Sequence, residues 1–471
     1  MTEMDITEFY RGKNIFITGG TGFVGIALVE KILRSLPDVG TLYLLVRPKN
    51  GKPVGVRLEE YTKNAIFQRL RSEQGDDVFK KLVPLAGDVG EENLGLSDAD
   101  RQTVIEKVNI VFHSAATLDF EASLKTTVII NLLGTRRVVQ LCKEIQHLSA
   151  LLHVSSAYVN SNLKSADEIL YPQPGDVEKV VQVALTMTDE AINDLTPTLL
   201  GTHLNTYTFT KALAELEVAN SISSFPSCIV RPSMITAAWK EPTPGWTISK
   251  NGPQGFMMGA GKGVVRRLPM NTELVCDYIP VDTVVNSMIA GAYHTGIKRF
   301  FVCCSPTETP VFHITSSTYK PFRWHYVISV MDSYLHRYPL RSAAWYPHMK
   351  FIPSLFWFKV SAMIFHILPA YILDAVTFVT GGRPVLRKMH RNIFRSLDRL
   401  EPFIFNEWMF DNKKTLELHA TLSPGDQEKF GVDIGRLDWV PYFENLIKGV
   451  REYLHNEKLS TLEAAKKKNN V

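Results

Sequence analysis

The sequence predicts an α/β protein with a doubly wound parallel sheet and a mainly helical C-terminal domain. Three observations predict it. A glycine-rich turn follows the first short apolar run, further short apolar runs alternate with helical patterns up to about residue 305, and the pattern after residue 350 has helical spacing. The chain has 471 residues, which suffice for one large α/β domain and a smaller second one.

The composition is that of a folded protein from a reducing environment. Hydrophobic residues make up 45% and charged residues 21% of the chain, which excludes wholesale disorder. The net charge is only +4 and no basic stripe is interleaved with aromatic residues, so no nucleic-acid partner is expected. Five cysteines without metal-type spacing favour a cytosol-facing location. The first fifteen residues lack the basic and apolar regions of a secretory signal.

The first predicted strand, residues 13–17, leads directly into the glycine-rich turn, and a helix is predicted over 23–36. The turn consists of Thr18, Gly19, Gly20, Thr21, Gly22, Phe23, Val24 and Gly25. Glycines at this spacing allow a tight turn, close approach of the backbone to a pyrophosphate and close packing of helix on strand. We therefore predict that these eight residues bind a dinucleotide; the alternative is a structural turn that holds no phosphate.

The choice of dinucleotide is predicted at the end of the second strand, residues 41–46. In folds that select NAD, an acidic residue here accepts hydrogen bonds from the adenosine ribose. This chain has Arg47, which can pair with a 2′-phosphate, so NADPH is the expected cofactor. The alternative is that Arg47 and Lys49 belong only to a solvated loop.

The third and fourth strands supply further candidates for cofactor binding. Asp88 and Val89 end the third strand, where an acidic side chain can meet the adenine amino group. The fourth strand, 108–116, ends in small residues that include Ala115 and leave room for the dinucleotide. His113 is expected to pack beside the cofactor rather than to catalyse.

The candidate catalytic pair is Tyr207 and Lys211, whose Y-x-x-x-K spacing places both on one face of a helix, one turn apart. A lysine beside a phenol is expected to lower the tyrosine pKa, so that the hydroxyl exchanges a proton with a carbonyl oxygen. Ser156, at the end of another buried strand, can hydrogen-bond the same oxygen, and Ser155 is the alternative. Asn131 is predicted to hold a water that links the lysine to solvent.

This ordered set of glycine turn, Asn, Ser, Tyr and Lys resembles the extended short-chain dehydrogenase/reductase superfamily. The resemblance implies a Rossmann-type fold. It also implies that the segment containing Arg231, Pro232 and Ser233 lies against the nicotinamide, so that Pro232 and Ser233 belong to the cofactor site.

A narrower resemblance is to the alcohol-forming fatty acyl-CoA reductases, above all the insect members. The segments that carry it are FHSAAT (112–117) with Asp119 and Phe120, HVSSAY (153–158), NTYTFTKA (205–212), RPS (231–233), PGW (244–246), NGP (251–253), PVD (280–282), LPA (368–370), Asp374, and 405–410 around Trp408. It implies reduction of a long-chain acyl-CoA by NADPH, through an aldehyde, to a primary alcohol. It also implies a C-terminal sterile-type domain and assigns the catalytic serine position to Ser156.

The expected organisation has four parts. Residues 10–305 form the NADP-binding domain, including the acyl-CoA site, and close with a strand at 300–304. A transitional segment covers 306–350, the sterile-type domain covers 351–450, and a basic tail covers 451–471. Two other functions stay open: a dehydrogenase for a secondary alcohol such as a sterol, and a non-enzymatic NADP-binding scaffold.

The apolar stretch 351–380 suggests contact with a membrane surface. Prolines and charged residues interrupt it, so it is expected to fall short of the ~20 apolar residues of a spanning helix. An in-plane or hairpin contact and a buried core helix are the two alternatives. The family resemblance places such a protein on the endoplasmic reticulum or the peroxisome, facing the cytosol, and a homo-oligomer is possible.

Overall fold

The computed structural model describes residues 4–48, 51–172, 174–301 and 308–469. The strands are β1 Asn14–Thr18, β2 Leu42–Val46, β3 Leu82–Ala86, β4 Val108–His113, β5 Ala150–Val154, β6 Ser165–Ala166, β7 Ser227–Pro232, β8 Met234–Thr236, β9 Arg267–Pro269, β10 Tyr278–Pro280, β11 Val311–Ile314, β12 Lys350–Ile352 and β13 Met409–Phe410.

The helices are α1 Ile6–Tyr10, α2 Phe23–Ser35, α3 Val54–Thr62, α4 Gln68–Gln74, α5 Asp98–Lys107, α6 Leu124–Thr127, α7 Leu133–Glu144, α8 Val177–Thr186, α9 Asp189–Leu200, α10 Thr206–Ala219, α11 Pro253–Gly261, α12 Val281–Phe301, α13 His325–Arg337, α14 Leu355–Ala362, α15 Leu368–Val379, α16 Leu386–Phe405, α17 Lys413–Ala420, α18 Pro424–Phe430, α19 Trp439–Gly449 and α20 Leu462–Asn469. Short π-helical turns join α6 to α7 and α14 to α15.

The main sheet has seven parallel strands in the order β11-β7-β5-β4-β1-β2-β3. The chain builds outward from β1 in one direction and from β4 in the other, so the strand order reverses between these two neighbours. In such sheets a ligand binds beyond the carboxyl ends of the strands at the point of reversal. The predicted doubly wound fold is confirmed.

The strands of this sheet are apolar and buried because helices cover both faces. All five residues of β2 and of β5 are buried, and one core cluster includes Phe16, Val111, Leu151, Ile229 and Val311 from five different strands. Continuous apolar strands of this kind are typical of parallel sheets. The sheet therefore provides a rigid base for the loops at its carboxyl edge.

The described residues divide into two compact units that interleave along the chain. The first takes its residues from 1–235, 279–319 and 409–435, and the second from 236–278, 320–408 and 436–471. The first unit contains the seven-stranded sheet, and its last segment adds β13, which pairs in parallel with β6. The second unit is mainly helical, as expected for the C-terminal region. The domain limits given above remain predictions.

Aromatic side chains form the core of the second unit. Phe322 stacks on Phe443 with ring centroids 4.9 Å apart, and Trp324 packs against Phe351 at 5.0 Å. Phe322 and Trp324 are completely buried. The Phe322–Phe443 contact joins segments that lie more than 100 residues apart, so this core forms only when distant parts of the chain come together.

The last strand of the main sheet is β11, and the expected strand at 300–304 is wrong where the structure describes it. Phe300 and Phe301 complete the long helix α12. Val302, Cys303 and Cys304 lie outside the described residues. A short apolar run is compatible with a strand or with the end of a helix, and composition does not separate the two.

The apolar stretch forms a longer helix than expected. α14, the turn Met363–Ile367 and α15 form one continuous helix, Leu355–Val379, which is long and apolar enough to cross a membrane by length and composition alone. The prediction that prolines and charges would shorten it was wrong, since the π-helical turn Met363–Ile367 lies just before Pro369 and the helix continues through it. Only 22% of its apolar window is buried, which does not fit the buried-core alternative.

Candidate active site

The glycine-rich turn occupies the carboxyl end of β1 and tolerates no side chain at two of its positions. Gly19 has a φ of +74°, and a Cβ there would lie 2.7 Å from the Ala115 nitrogen. A Cβ on Gly25 would lie 2.2 Å from the Gly19 carbonyl oxygen. Gly22 begins α2 without a capping side chain. The turn therefore keeps its backbone close to the end of β4. The N–H groups at the start of α2 carry no capping side chain and can bind an anion.

This geometry fits the pyrophosphate of a dinucleotide. The turn lies where the strand order reverses, and the positive end of the α2 dipole adds to its attraction for phosphate. Thr21 is exposed and Phe23 and Val24 are half-buried, so these side chains border the turn. Gly20 is buried, and its carbonyl oxygen accepts a hydrogen bond from the Tyr61 hydroxyl at 3.2 Å.

Hydrogen bonds of Thr18 connect the turn to the end of β4. Its buried hydroxyl lies 2.7 Å from Nδ1 of His113 and accepts a hydrogen bond from the Ala115 N–H at 3.3 Å. Nε2 of His113 lies 3.0 Å from the Thr135 hydroxyl. Burial lowers the pKa of His113 to about 3, and the Lys211 charge adds to this effect. His113 is thus a neutral, packed residue beside the turn, as expected.

Arg47 and Asp88 lie at the carboxyl ends of two neighbouring strands. The Arg47 guanidinium is 3.8 Å from the Asp88 carboxylate, and the Arg47 side chain is 70% exposed. The other oxygen of Asp88 accepts a hydrogen bond from the Gly90 N–H at 2.9 Å. Val89 is buried against Gly134 and belongs to the core below the edge. An exposed guanidinium at this position is free to turn toward a 2′-phosphate.

Arg47→Asp is expected to weaken NADPH binding by tenfold or more and NADH binding much less, because a like charge replaces the partner of the 2′-phosphate. Fluorescence titration of both cofactors measures the two changes. Lys63→Asp, the same charge change at an exposed residue just after α3, is the control. Equal losses for NADPH and NADH would remove Arg47 from the phosphate site.

Helix α10 presents the predicted pair Tyr207 and Lys211 on one face. Asn205 caps the helix by accepting the Thr208 N–H at 2.9 Å. Tyr207 is 8% exposed and makes a hydrogen bond with Ser156. Ser156 follows β5, where its hydroxyl accepts the Tyr158 N–H at 3.2 Å. The fold thus brings the tyrosine of one helix to the serine at the end of a central strand.

The direction of the pKa shift at Tyr207 differs from the expectation. Burial raises the pKa of Tyr207 to about 12, and the hydrogen bond with Ser156 offsets only part of this. The expected lowering by Lys211 is not found, and loss of solvent from the phenol is the largest cause of the shift. Tyr207 is therefore protonated at neutral pH and is a proton donor, as a carbonyl reduction requires.

Lys211 is enclosed at the base of the site. Its ammonium donates a hydrogen bond to the Val154 carbonyl oxygen at 2.6 Å and lies 3.4 Å from Nε2 of His153. Burial lowers the pKa of Lys211 to about 8, and the Glu215 carboxylate opposes this shift. The pKa of His153 is held well below its usual value by burial and by Lys211. Lys211 is thus a buried, hydrogen-bonded amine at the base of the site.

Asn131 lies in the π-helical turn Val128–Leu132 and connects two segments of the site. Its side-chain oxygen accepts the Thr117 N–H at 2.9 Å, and its amide donates to the Thr210 hydroxyl at 3.2 Å. Thr210 immediately precedes Lys211. π-helical turns are frequent at functional sites because the extra residue redirects a side chain. The role of Asn131 in holding a water stays a prediction.

Two buried hydroxyls lie just beyond β5 and β7, where the sequence predicts that the nicotinamide binds. Ser233 follows Pro232 at the end of β7, where its N–H donates to the Ile314 carbonyl oxygen at 3.0 Å. The hydroxyls of Ser233 and Ser155 are buried and have no hydrogen-bond partner among the described residues. A buried hydroxyl without a partner is costly unless a ligand supplies one. The residues present therefore fit a complete dinucleotide.

Two groups near Lys211 were not predicted from the sequence, namely His153 and Glu215. His153 contacts Lys211, although only its polar character in an apolar strand could have indicated this. Glu215 forms two hydrogen bonds with the buried Arg231, at 2.8 and 2.6 Å. Glu215 lies one further turn along α10 from Lys211, so helical spacing could have found it. The Glu215–Arg231 ion pair is neutral overall, but the Glu215 carboxylate acts on Lys211 and opposes the lowering of the lysine pKa.

Comparison with protein families shows which known proteins this chain is similar to. Two family models, both described as male sterility protein, match residues 17–288 and 365–457. A Drosophila melanogaster protein, provisionally named as a fatty acyl-CoA reductase, is 56% identical over 100% of this chain and 91% of its own length. Fatty acyl-CoA reductase 1 of Xenopus laevis is 38% identical over 98% of this chain and 89% of its own.

Solved structures show the same fold. The reductase domain of a non-ribosomal peptide synthetase from Mycobacterium tuberculosis superimposes with a TM-score of 0.60 at 18% identity, covering 95% of this chain and 92% of that one. The terminal R domain of the myxalamid pathway gives 0.60 at 17% identity, covering 97% and 94%. At these identities the likeness concerns the fold alone.

Proposed function

The chain belongs to the fatty acyl-CoA reductase family, and from that premise we propose that it reduces a long-chain acyl-CoA to the primary alcohol through an aldehyde, with NADPH as the reductant. The observation that carries the proposal is the position of Tyr207. This protonated, buried phenol is hydrogen-bonded to Ser156 and lies one helical turn from Lys211. Together they provide a proton donor and a cation for a carbonyl oxygen that gains charge.

The glycine turn and Arg47 would hold the diphosphate and the 2′-phosphate, while Lys211, Pro232 and Ser233 would surround the ribose and nicotinamide. NADPH supplies the hydride. Ser156 orients the thioester carbonyl, and Tyr207 gives its proton to the oxygen. The resulting hemithioacetal expels CoA as the thiol and leaves the aldehyde. Water returns a proton to the Tyr207 phenolate, which then gives a second proton to the aldehyde oxygen while a second NADPH supplies hydride, and the alcohol forms. Lys211 stabilises the phenolate between proton transfers.

The stoichiometry of the reaction tests this proposal. Purified protein with a long-chain acyl-CoA is expected to consume two NADPH and release one CoA thiol for each alcohol formed. Absorbance of NADPH and a thiol reagent measure both quantities in one sample. Consumption of NADPH with a keto substrate and no thiol release would favour the secondary-alcohol dehydrogenase. Cofactor binding without turnover of either substrate would favour the scaffold.

We propose that the protein associates with a membrane through the helix Leu355–Val379 of the second unit. Large apolar side chains on this helix are widely exposed, as in Trp357 at 62%, Met363 at 66% and Phe378 at 73%. A contiguous surface of exposed apolar side chains marks an interaction site. Long-chain acyl-CoA and its alcohol both partition into lipid, so a cytosolic membrane face of the endoplasmic reticulum or the peroxisome brings enzyme and substrate together.

The full-length protein is expected in the membrane fraction at low salt. Exchanging Ile364, Leu368 and Ile372 together for Asp should release it, because three charges would enter an apolar interface. Fractionation with organelle markers measures this. Val56, Leu185 and Leu459 are exposed apolar residues elsewhere, and their joint exchange for Asp is the matched control. Wild-type protein in the soluble fraction would contradict the proposed association.

A further inference from the structure

The helix Leu355–Val379 exposes most of its large apolar side chains and buries polar ones, which is the reverse of a helix in a water-soluble protein. Its buried positions repeat every four residues and form one narrow row. The row consists of Phe358, Ala362, His366, Ala370 and Asp374. Two of these five side chains are polar, whereas the exposed positions carry Trp357, Met363 and other large apolar groups. A helix of a water-soluble protein buries its large apolar side chains, so the exposed side of this helix is suited to an apolar medium.

α16 packs along this buried row. Asp374 caps the start of α16 by accepting the N–H groups of Leu386 at 3.0 Å and Arg387 at 2.9 Å. The rings of His366 and His390 stack with centroids 5.3 Å apart. Further along, Phe358 meets Phe394 at 5.9 Å. The contacts run antiparallel, so α16 passes back along the whole apolar helix from its end toward its beginning.

The opposite side of α16 is basic. Lys388, Arg391 and Arg395 are exposed and share one helix face through their spacing of three and four residues. Within the part of the chain that the structure describes, none of the three has an ion pair or a hydrogen bond from its side chain. No acidic residue occurs between 386 and 397. These cations are therefore available to an anionic partner.

The position of these cations excludes a simple spanning arrangement. Arg391 follows His390, which stacks on His366 near the middle of the apolar helix, and Arg395 follows Phe394. If Leu355–Val379 crossed a bilayer, α16 would cross beside it and carry Arg391 and Arg395 into the hydrocarbon. Unpaired charges at that depth are strongly disfavoured. An orientation in the plane of the membrane keeps them at the headgroups.

We propose that Leu355–Val379 and α16 together form an in-plane docking surface for a bilayer containing anionic phospholipid. The exposed apolar side chains of the first helix enter the acyl boundary, and Lys388, Arg391 and Arg395 bind the charged headgroups. The two surfaces adjoin where the Arg387 guanidinium lies 5.3 Å from the centre of the exposed Tyr371 ring. This inference rests on the proposed membrane association and is independent of the reductase reaction.

Vesicle binding tests the role of the cations. The full-length protein is expected to sediment with phosphatidylcholine vesicles that contain phosphatidylserine about 10- to 100-fold more tightly than with phosphatidylcholine alone, and salt should reduce the difference. Exchanging Lys388, Arg391 and Arg395 for Gln should abolish the preference. The control removes three exposed cations from the first unit, with Lys63→Gln, Lys107→Gln and Lys179→Gln. Circular dichroism checks that each variant is folded.

Four outcomes of this experiment would overturn the inference. Equal binding of wild type to both vesicles would leave the membrane association and remove the cation role. An unchanged preference in the α16 variant, or an equal loss in the control, would do the same. Binding to neither vesicle would overturn the membrane association itself, and a soluble dimer in light scattering would then identify a second copy as the occupant.

Orientation is tested by inserting a glycosylation acceptor, Asn-Ser-Thr, after the exposed Gly381, between α15 and α16. In-plane docking keeps this loop in the cytosol, so the protein translated with microsomes should stay unmodified and bound. Circular dichroism of the purified variant shows that it is folded. Glycosylation of the loop would place it across the bilayer and would overturn the in-plane arrangement.

Discussion

Tyr207→Phe is expected to lower the rate of alcohol formation by about 10²- to 10⁴-fold or more while NADPH binding stays nearly unchanged. The reason is that the substitution removes only the hydroxyl that gives its proton to the substrate oxygen. The aromatic ring is retained, and with it the contact with Phe120, whose ring centre is 5.7 Å away. Single-turnover rates and fluorescence titration of NADPH separate the two effects.

Two controls define the specificity of this loss. Tyr10 is another buried tyrosine, whose hydroxyl donates to the Ile289 carbonyl oxygen at 2.9 Å, so Tyr10→Phe should cost about 1 kcal/mol of stability without changing turnover. Lys211→Ala should impair both turnover and NADPH binding, because the ammonium is also expected to contact the nicotinamide ribose. A Tyr207→Phe enzyme with near-normal turnover would show that another group donates the proton.

Gly25→Ala is expected to have the second large effect, on cofactor binding and on stability together. The new methyl group would lie 2.2 Å from the Gly19 carbonyl oxygen and 2.6 Å from the Gly20 Cα, both of which belong to the backbone of the turn. Backbone atoms can relieve such overlap only by moving the turn away from α2. We expect about 1–3 kcal/mol of destabilisation and at least a tenfold loss of NADPH affinity.

Thermal unfolding and NADPH titration of the same preparation measure both changes. Gly55→Ala in α3 is the control, since a methyl group there has no atom within 4 Å, so NADPH affinity should stay at the wild-type level and stability should not fall. Normal NADPH affinity in folded Gly25→Ala would contradict the assignment of this turn to the pyrophosphate.

Much of the site could be predicted because its chemistry is encoded in short local patterns. The spacing of Gly19, Gly22 and Gly25 describes a turn between one strand and one helix, and the spacing of Tyr207 and Lys211 describes a single turn of α10. Each pattern involves residues within eight positions of one another, so local backbone geometry suffices to interpret it. The doubly wound sheet follows from the alternation of strands and helices.

The protonation of these groups could not be predicted in the same way. A pKa depends on how much solvent the folded protein removes and on charges brought in from distant segments. The sequence shows Lys211 near Tyr207, but only the structure shows that burial dominates at Tyr207. The same holds for the Val154 carbonyl oxygen and His153 beside the lysine, which come from a strand more than 50 residues away.

The sequence by itself therefore determined the class of fold, the glycine-rich turn and the placement of Tyr207 and Lys211 on one helix face, because each depends on neighbours along the chain. Tertiary structure alone decided that β11 closes the sheet and that Tyr207 stays protonated. It also decided which side of Leu355–Val379 is covered. Burial is a property of contacts between distant segments, and an apolar sequence does not state whether protein or another medium will cover it.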